Sequence, residues 1–166
     1  TIDIPDSVAA IADDAFIGCK ALQSFTLSPN HPYFFLADDA LCRTADSTLL
    51  LYPNDRDPRT YRIPDGITAI SAYAFYDCDL LESVVIPDSI TQIPERAFYG
   101  CSALASVSLP DSLTEIGIAA FSFCAALTDI RLPASITEIS AGLFSGCSSL
   151  ATLEIPDSVT IIGGDA

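Results

Sequence analysis

The sequence predicts an α/β solenoid of stacked 23-residue coils, and three observations predict it. Cys78, Cys101, Cys124 and Cys147 recur every 23 residues. Phe75, Phe98, Phe121 and Phe144 keep the same step, with Phe16 as an earlier copy. Pro64, Pro87, Pro110, Pro133 and Pro156 keep it too, with Pro5 earlier. A fixed period of this length means that each unit is one coil, which buries its apolar side only by stacking on its neighbours.

Five complete units begin at Ile4, Ile63, Ile86, Leu109 and Leu132, and a truncated one begins at Ile155. Their consensus is [IL]-P-D-S-[IV]-T-x-I-x-x-x-A-F-x-x-C-x-x-L-x-x-[VI]-x. Nine columns of each complete unit are apolar or cysteine; in the unit from Ile86 they run from Ile86, Ile90 and Ile93 to Leu104, Val107 and Leu109. A chain that is 50% apolar fills only half of such columns by chance, so the columns mark a continuous core. The interval from Leu27 to Ile63 is one repeat plus 13 residues. Residues 28–62 are therefore read as an expanded repeat inside a single solenoid spanning 1–166, itself a fragment of a longer chain.

Within a coil, Leu104-x-x-Val107-x-Leu109 alternates with period two, the pattern of a half-buried strand. Val107 and Leu109 are expected to face inward, and Ser106 and Ser108 outward. Pro110 ends the strand because it has no N–H for the ladder, and Asp111-Ser112 reads as a turn. Leu113-Thr114-Glu115-Ile116 is a second extended piece. Ala119–Phe123 is long enough for one helical turn. Gly18, Gly100 and Gly146 suit its left-handed C-cap, and Asp13, Asp14 and Glu95 suit its N-terminus. In the expanded unit, alternation around Leu41-Cys42-Arg43 and Leu49-Leu50-Leu51 fits a β-hairpin joined through 44–47.

Composition narrows the function. Seven basic against 22 acidic residues leave a net charge of −15, which repels nucleic acid and anionic bilayers. No apolar run approaches the roughly 18 residues of a membrane helix, so membrane insertion is not expected. With one His, no Trp and no Met, much of the vocabulary of catalysis and metal ligation is missing. The chain is read as a non-enzyme without a cofactor.

The unit Leu104-x-x-Val107-x-Leu109-Pro110-x-Ser112-Leu113-x-x-Ile116-Gly117-x-x-Ala120-Phe121-x-x-Cys124 resembles the BspA-like, or Treponema-type, leucine-rich repeat family. The resemblance covers nearly the whole chain. The segment Asn30-His31-Pro32-Tyr33 through Tyr52-Pro53 also looks like that family's hairpin insert. The resemblance implies parallel strands on a concave face, an extracellular or cell-surface location, and a bacterial adhesin role. The implied partner is a protein or glycan, on a host matrix or another microbial surface. Two other roles stay open, an intracellular or structural spacer and the targeting arm of a larger enzyme. One departure is physical. Many leucine-rich repeats stack an Asn ladder after the strand, but here the slot holds Ser7, Gly66, Ser89, Ser112, Ser135 and Ser158.

The first candidate site is the outward strand face: Ser24, Thr26, Ser83, Val85, Ser106, Ser108, Asp129, Arg131, Thr152 and Glu154. Solenoids often bind through such a face, but only Arg131 is a residue type that anchors interfaces. A merely solvated face is the competing reading. The second candidate is the insert surface, with His31, Tyr33, Arg43, Arg56 and Arg59. Its competing reading is that the aromatics pack on the solenoid and the arginines, Arg62 included, pair with nearby acids. The Cys column, Cys19 included, is expected to be buried free thiols, with a Cys78–Cys101 bridge left open by the spacing. Cys42, off the repeat pattern, is where exposure and reactivity are expected. The column Asp6, Asp65, Asp88, Asp111 and Asp157 reads as solvated turn residues, without the dense ligand clustering of a Ca²⁺ loop.

Overall fold

Short strands, mostly alternating along the repeats and continuously buried in the insert, make up the computed structural model, which describes residues 1–55, 57 and 59–166. In chain order they are β1 (Ile2–Asp3), β2 (Phe25–Thr26), β3 (Phe34–Ala37), β4 (Ala40–Arg43), β5 (Thr48–Leu51), β6 (Thr60–Arg62) and β7 (Ala69–Ile70). They continue as β8 (Ser83–Val85), β9 (Gln92–Ile93), β10 (Ser106–Ser108), β11 (Glu115–Ile116), β12 (Glu138–Ile139) and β13 (Ile161–Ile162). β6, β8 and β10 form a parallel sheet in the order β10-β8-β6, and a bridge from Ser106 to Asp129 carries it one coil further. Tyr61, Val84, Val107 and Ile130 are the buried residues of this ladder. β9 pairs with β11 and β12 with β13, again in parallel and one repeat apart.

The chain is a β-solenoid of about seven coils, and the α/β expectation with its short helical turns is corrected. No helix occurs among the described residues. The reason lies in where the N–H groups go. An α-helix sends each one to the carbonyl four residues back. After Pro94, Ala97, Tyr99 and Cys101 instead donate three residues back, to Pro94, Arg96 and Phe98. The residues between them donate to the next coil: Arg96 to Ile118 (3.0 Å), Phe98 to Ala120 (2.9 Å) and Gly100 to Ser122 (2.8 Å). Two left-handed residues per coil make this possible. One column is Tyr73, Arg96, Ala119 and Gly142, with φ of 62°, 51°, 55° and 64°. The other is Asp77, Gly100, Phe123 and Gly146, at 54°, 76°, 59° and 78°. A right-handed helix cannot hold such residues. The left-handed glycines are present, but they shape turns rather than cap helices. Glu95 accordingly serves no helix terminus; it accepts the Tyr73 hydroxyl at 3.1 Å and pairs with Arg96 at 3.6 Å.

The core repeats in the same way. Tyr52, Phe75, Phe98, Phe121 and Phe144 stack as a column with centroids 4.6–6.1 Å apart. Beside it, the Cys101, Cys124 and Cys147 thiols donate to the carbonyls of Phe75, Phe98 and Phe121 at 3.0, 3.2 and 3.1 Å. The serine slot does what an Asn ladder does elsewhere. Ser89 donates to Ile67 O (2.7 Å), Ser112 to Asp88 O (2.9 Å) and Ser158 to Ile136 O (2.7 Å), while Ser135 bonds Leu113 O. Each hydroxyl thus ties a turn to the coil before it.

Residues 28–62 hold an antiparallel meander, β3-β4-β5, whose last strand pairs in parallel with β7. Asp38 and Asp39, at φ of 46° and 70°, make the tight β3–β4 turn, the left-handed pair that a two-residue hairpin requires. The meander is an internal partition. Leu41, Leu50 and Leu51 pack with Ile4, Leu22 and Phe25 of the first coil. Ala40, Cys42 and Leu49 pack into the larger core that runs through the later coils.

Coil spacing leaves some positions no room for a side chain. A Cβ at Gly117 falls 2.5 Å from Glu95 N and 2.8 Å from Pro94 C, whereas Gly66 has nothing within 4 Å. Gly117→Ala is therefore expected to lower unfolding stability by about 1–3 kcal/mol through overpacking. Gly66→Ala should stay within about 0.5 kcal/mol of the parent. Urea unfolding of the two variants checks the contrast.

Candidate functional site

The strand face is built by β6, β8, β10 and the Asp129 bridge, whose register pairs Ser83 with Ser106 and Val85 with Ser108. Ser106, Ser108, Asp129 and Arg131 are exposed, while Ser83 and Val85 are half-buried. All six line one shallow groove of about 440 Å³. Thr152 and Glu154 are exposed one coil on, outside any strand. Ser24 and Thr26 are not part of this ladder. Ser24 precedes β2 and Thr26 lies in it, across the insert, and they bond Thr1 Oγ1 (2.8 Å) and Asp3 Oδ1 (2.6 Å).

Arg131 makes no ion pair with a described side chain. A second hollow of about 530 Å³ lies beside the strand face, lined in part by Arg62, Arg131, Asp65, Asp88 and Asp111. Arg62 is a strand-face residue that sequence reasoning assigned to the insert. Its distance from Arg131 of three whole repeats was the available signal. The aspartates of this column are exposed turn residues. No group of three or more His, Cys, Asp or Glu able to hold a metal occurs among the described residues.

The insert surface differs from its expectation at His31, while its described arginines follow the competing reading of internal pairing. His31 is buried, at 7% exposure, and holds the meander to the first coil. Its Nδ1 accepts the N–H groups of Tyr33 (3.3 Å) and Phe34 (3.2 Å), which leaves Nε2–H to donate to Pro5 O at 3.1 Å. The neutral tautomer follows from those partners. Tyr33 beside it is 44% exposed. Arg43 is not free: it grips Asp46 through two bonds of 2.9 Å, and that grip lowers the Asp46 carboxyl to about 2. Arg59 pairs with Glu82 at 3.1 Å and Arg62 with Asp65 at 3.2 Å. Such exposed pairs contribute little stability each; their effect is to neutralise the insert's cations. Arg56 lies outside the described residues.

Sequence reasoning missed a larger groove, of about 790 Å³, over the second ribbon of strands. The consensus Thr column crosses it at Thr68, Thr91, Thr114 and Thr137, all exposed. Gln92, Glu115 and Glu138 form the next outward column, above buried Ile93, Ile116 and Ile139. The signal was the T-x-I alternation in the consensus, which read as structure only.

All six cysteines are free thiols. Cys42 is fully buried, contrary to the exposure expected of it, because β4 lies inside the partition. Burial pushes its thiol up to about 12, as it does that of Cys147. Burial also raises Cys101, and the Cys101 neighbour followed by burial raises Cys124. Cys19 is exposed, contrary to the burial expected of the whole column, and Cys147 is half-buried.

Short parallel strands at a 23-residue offset, a stacked Phe column and polar outward faces define a leucine-rich repeat solenoid. The BspA type leucine-rich repeat family model matches residues 1–35 and 57–166 in six copies, and the chain belongs to that family. No curated protein matches the sequence. Among solved structures, the pneumococcal vaccine antigen PcpA is similar over 98% of this chain and 50% of its own, with a TM-score of 0.77 and 18% identity. A leucine-rich cell surface protein from Faecalibacterium prausnitzii matches over 99% of this chain and 48% of its own, with a TM-score of 0.70 and 29% identity. A leucine-rich repeat protein from T. pallidum matches over 83% of this chain and 64% of its own, with a TM-score of 0.64 and 31% identity. The chain thus spans about half the length of the first two. No helix among the described residues is long and apolar enough to cross a membrane.

Two outcomes follow from these placements. A thiol reagent at pH 8 should label one cysteine promptly in the native protein, and a Cys19→Ser variant should label none until it is denatured. Thiol counting before and after denaturation reads this directly. His31→Ala leaves buried backbone donors unpaired and is expected to cost about 1–3 kcal/mol, measured by chemical unfolding.

Proposed function

We propose that the chain is a non-catalytic binding module of a bacterial surface protein, engaging a protein or glycan through the strand face. One observation carries the reading. Asp129 bridges to Ser106 at the end of the strand ladder, Arg131 is exposed two residues beyond it, and Arg131 has no partner among the described side chains while Arg43, Arg59 and Arg62 each have one. An unpaired guanidinium on a rigid face retains its donors for a ligand carboxylate or hydroxyl. The cell-surface description of the F. prausnitzii neighbour supports the location. A spacer role is the second reading, favoured by the internal pairing of the insert's cations, and it requires no ligand at all.

The test is a screen against matrix proteins and glycan arrays, followed by titration of any hit. In the doubly substituted Asp129→Ala, Arg131→Ala variant, affinity is expected to fall at least tenfold, about 1.4 kcal/mol, with an unchanged circular dichroism spectrum. Full affinity in that variant removes the strand face as the site, and an empty screen favours the spacer.

A further inference from the structure

We propose that the groove over β9 and β11 is a second docking surface, and that it takes an extended peptide segment bearing lysine or arginine. The groove is a built concavity of about 790 Å³, and no lysine or arginine lines it. Its floor is tied at the centre, where Thr114 N donates to Thr91 O (2.8 Å) and Gly117 N to Ile93 O (2.8 Å), and Ser140 Oγ donates to Ile116 O (2.6 Å) one coil on.

Charge selects the occupant. Glu115 accepts only the neutral amide of Gln92, at 2.9 Å, and Glu138 makes no ion pair with a described side chain. Glu95 on the rim is already compensated by Arg96. Two uncompensated carboxylates therefore sit on adjacent coils, on β11 and β12, and favour a partner that carries cations. The strand face differs, because Arg62 and Arg131 lie there. The solenoid thus sorts its charge, with arginine on one face and only acid in the other groove.

Shape favours a peptide over a small cation. From Thr68 to Thr137 the groove crosses three coil steps, about 14 Å, which fits four to five residues of extended chain at about 3.3 Å each. The threonine hydroxyls and the Gln92 amide offer peptide groups neutral bonding partners at each step. Ile118, 53% exposed on the rim, offers an apolar surface for the methylene stem of a lysine or arginine.

The experiment is isothermal titration with an acetylated, amidated six-residue peptide alternating Lys and Thr, against the intact chain. Its Glu-Thr counterpart and spermine are titrated in parallel. The Lys-Thr peptide is expected to bind, the Glu-Thr peptide not to bind, and spermine to bind at least tenfold more weakly than Lys-Thr. Glu115→Gln with Glu138→Gln should weaken Lys-Thr binding at least tenfold. Asp13→Asn with Asp14→Asn, which removes the same charge elsewhere, should change it less than twofold. Equal losses in the two variants reduce the effect to net charge and overturn the proposal, as does no binding. Spermine binding as tightly as the peptide overturns the assignment to a peptide. Asp129→Ala with Arg131→Ala should leave this binding unchanged, so failure here and failure of the strand-face reading are separate results.

Discussion

Everything in this molecule depends on backbone hydrogen bonds that run between neighbouring coils, each joining positions about one repeat apart, such as Phe98 to Ala120 and Thr114 to Thr91. A coil of this length has no core of its own, so its stability comes from its neighbours. Bonds between coils require N–H and C=O groups that point along the solenoid axis. That demand excludes the helix at Ala119–Phe123, whose groups would turn inward on themselves. It also explains the two left-handed columns, because a chain that donates alternately to itself and to its neighbour must reverse its sense twice per coil. Gly100 and Gly146 meet this at low cost. Asp77 and Phe123 occupy the same column with less conformational freedom, held there by the coil-to-coil bonds on either side.

The same offset organises the side chains. Phenylalanines stack on phenylalanines, and thiols and serine hydroxyls each find a carbonyl of an earlier coil. The cysteine column therefore acts as a set of small donors inside the core. Burial at Cys101 and Cys147, and the Cys101 neighbour followed by burial at Cys124, raise these thiols, which suits bonding and leaves them chemically quiet. The insert obeys the rule too, since β5 pairs in parallel with β7 and passes the ladder onward. Burying both of its faces lets 13 extra residues interrupt the array without opening the core.

Charge is the remaining organising term. A chain of −15 repels itself, and most of its few cations are spent on acids within reach. Lys20 lies between Asp79 (2.9 Å) and Asp77 (3.4 Å), tying the first coil to a later one across the insert. Arg131 is left over on one face and the carboxylates of Glu115 and Glu138 on another. These leftovers are the groups on which the two proposed binding surfaces rest.

The period, the core columns, the strand alternation at Val107 and the family were legible in the sequence, because burial by stacking imposes the same residue type at the same step. The outward orientation of Ser106, Ser108, Asp129 and Arg131 was legible for the same reason. Other features depended on contacts that a one-dimensional pattern does not contain. The helical reading of Ala119–Phe123 failed because local propensity is silent about a carbonyl 22 residues away. His31 and Cys42 looked like surface residues because nothing local reveals that the meander has a covered face on both sides. The second groove stayed hidden because T-x-I describes a strand equally well on a flat face or a hollow one. The sequence alone determined the repeat and its core. The tertiary structure decided which groups meet across coils, because hydrogen bonds and ion pairs form between positions that only stacking brings together.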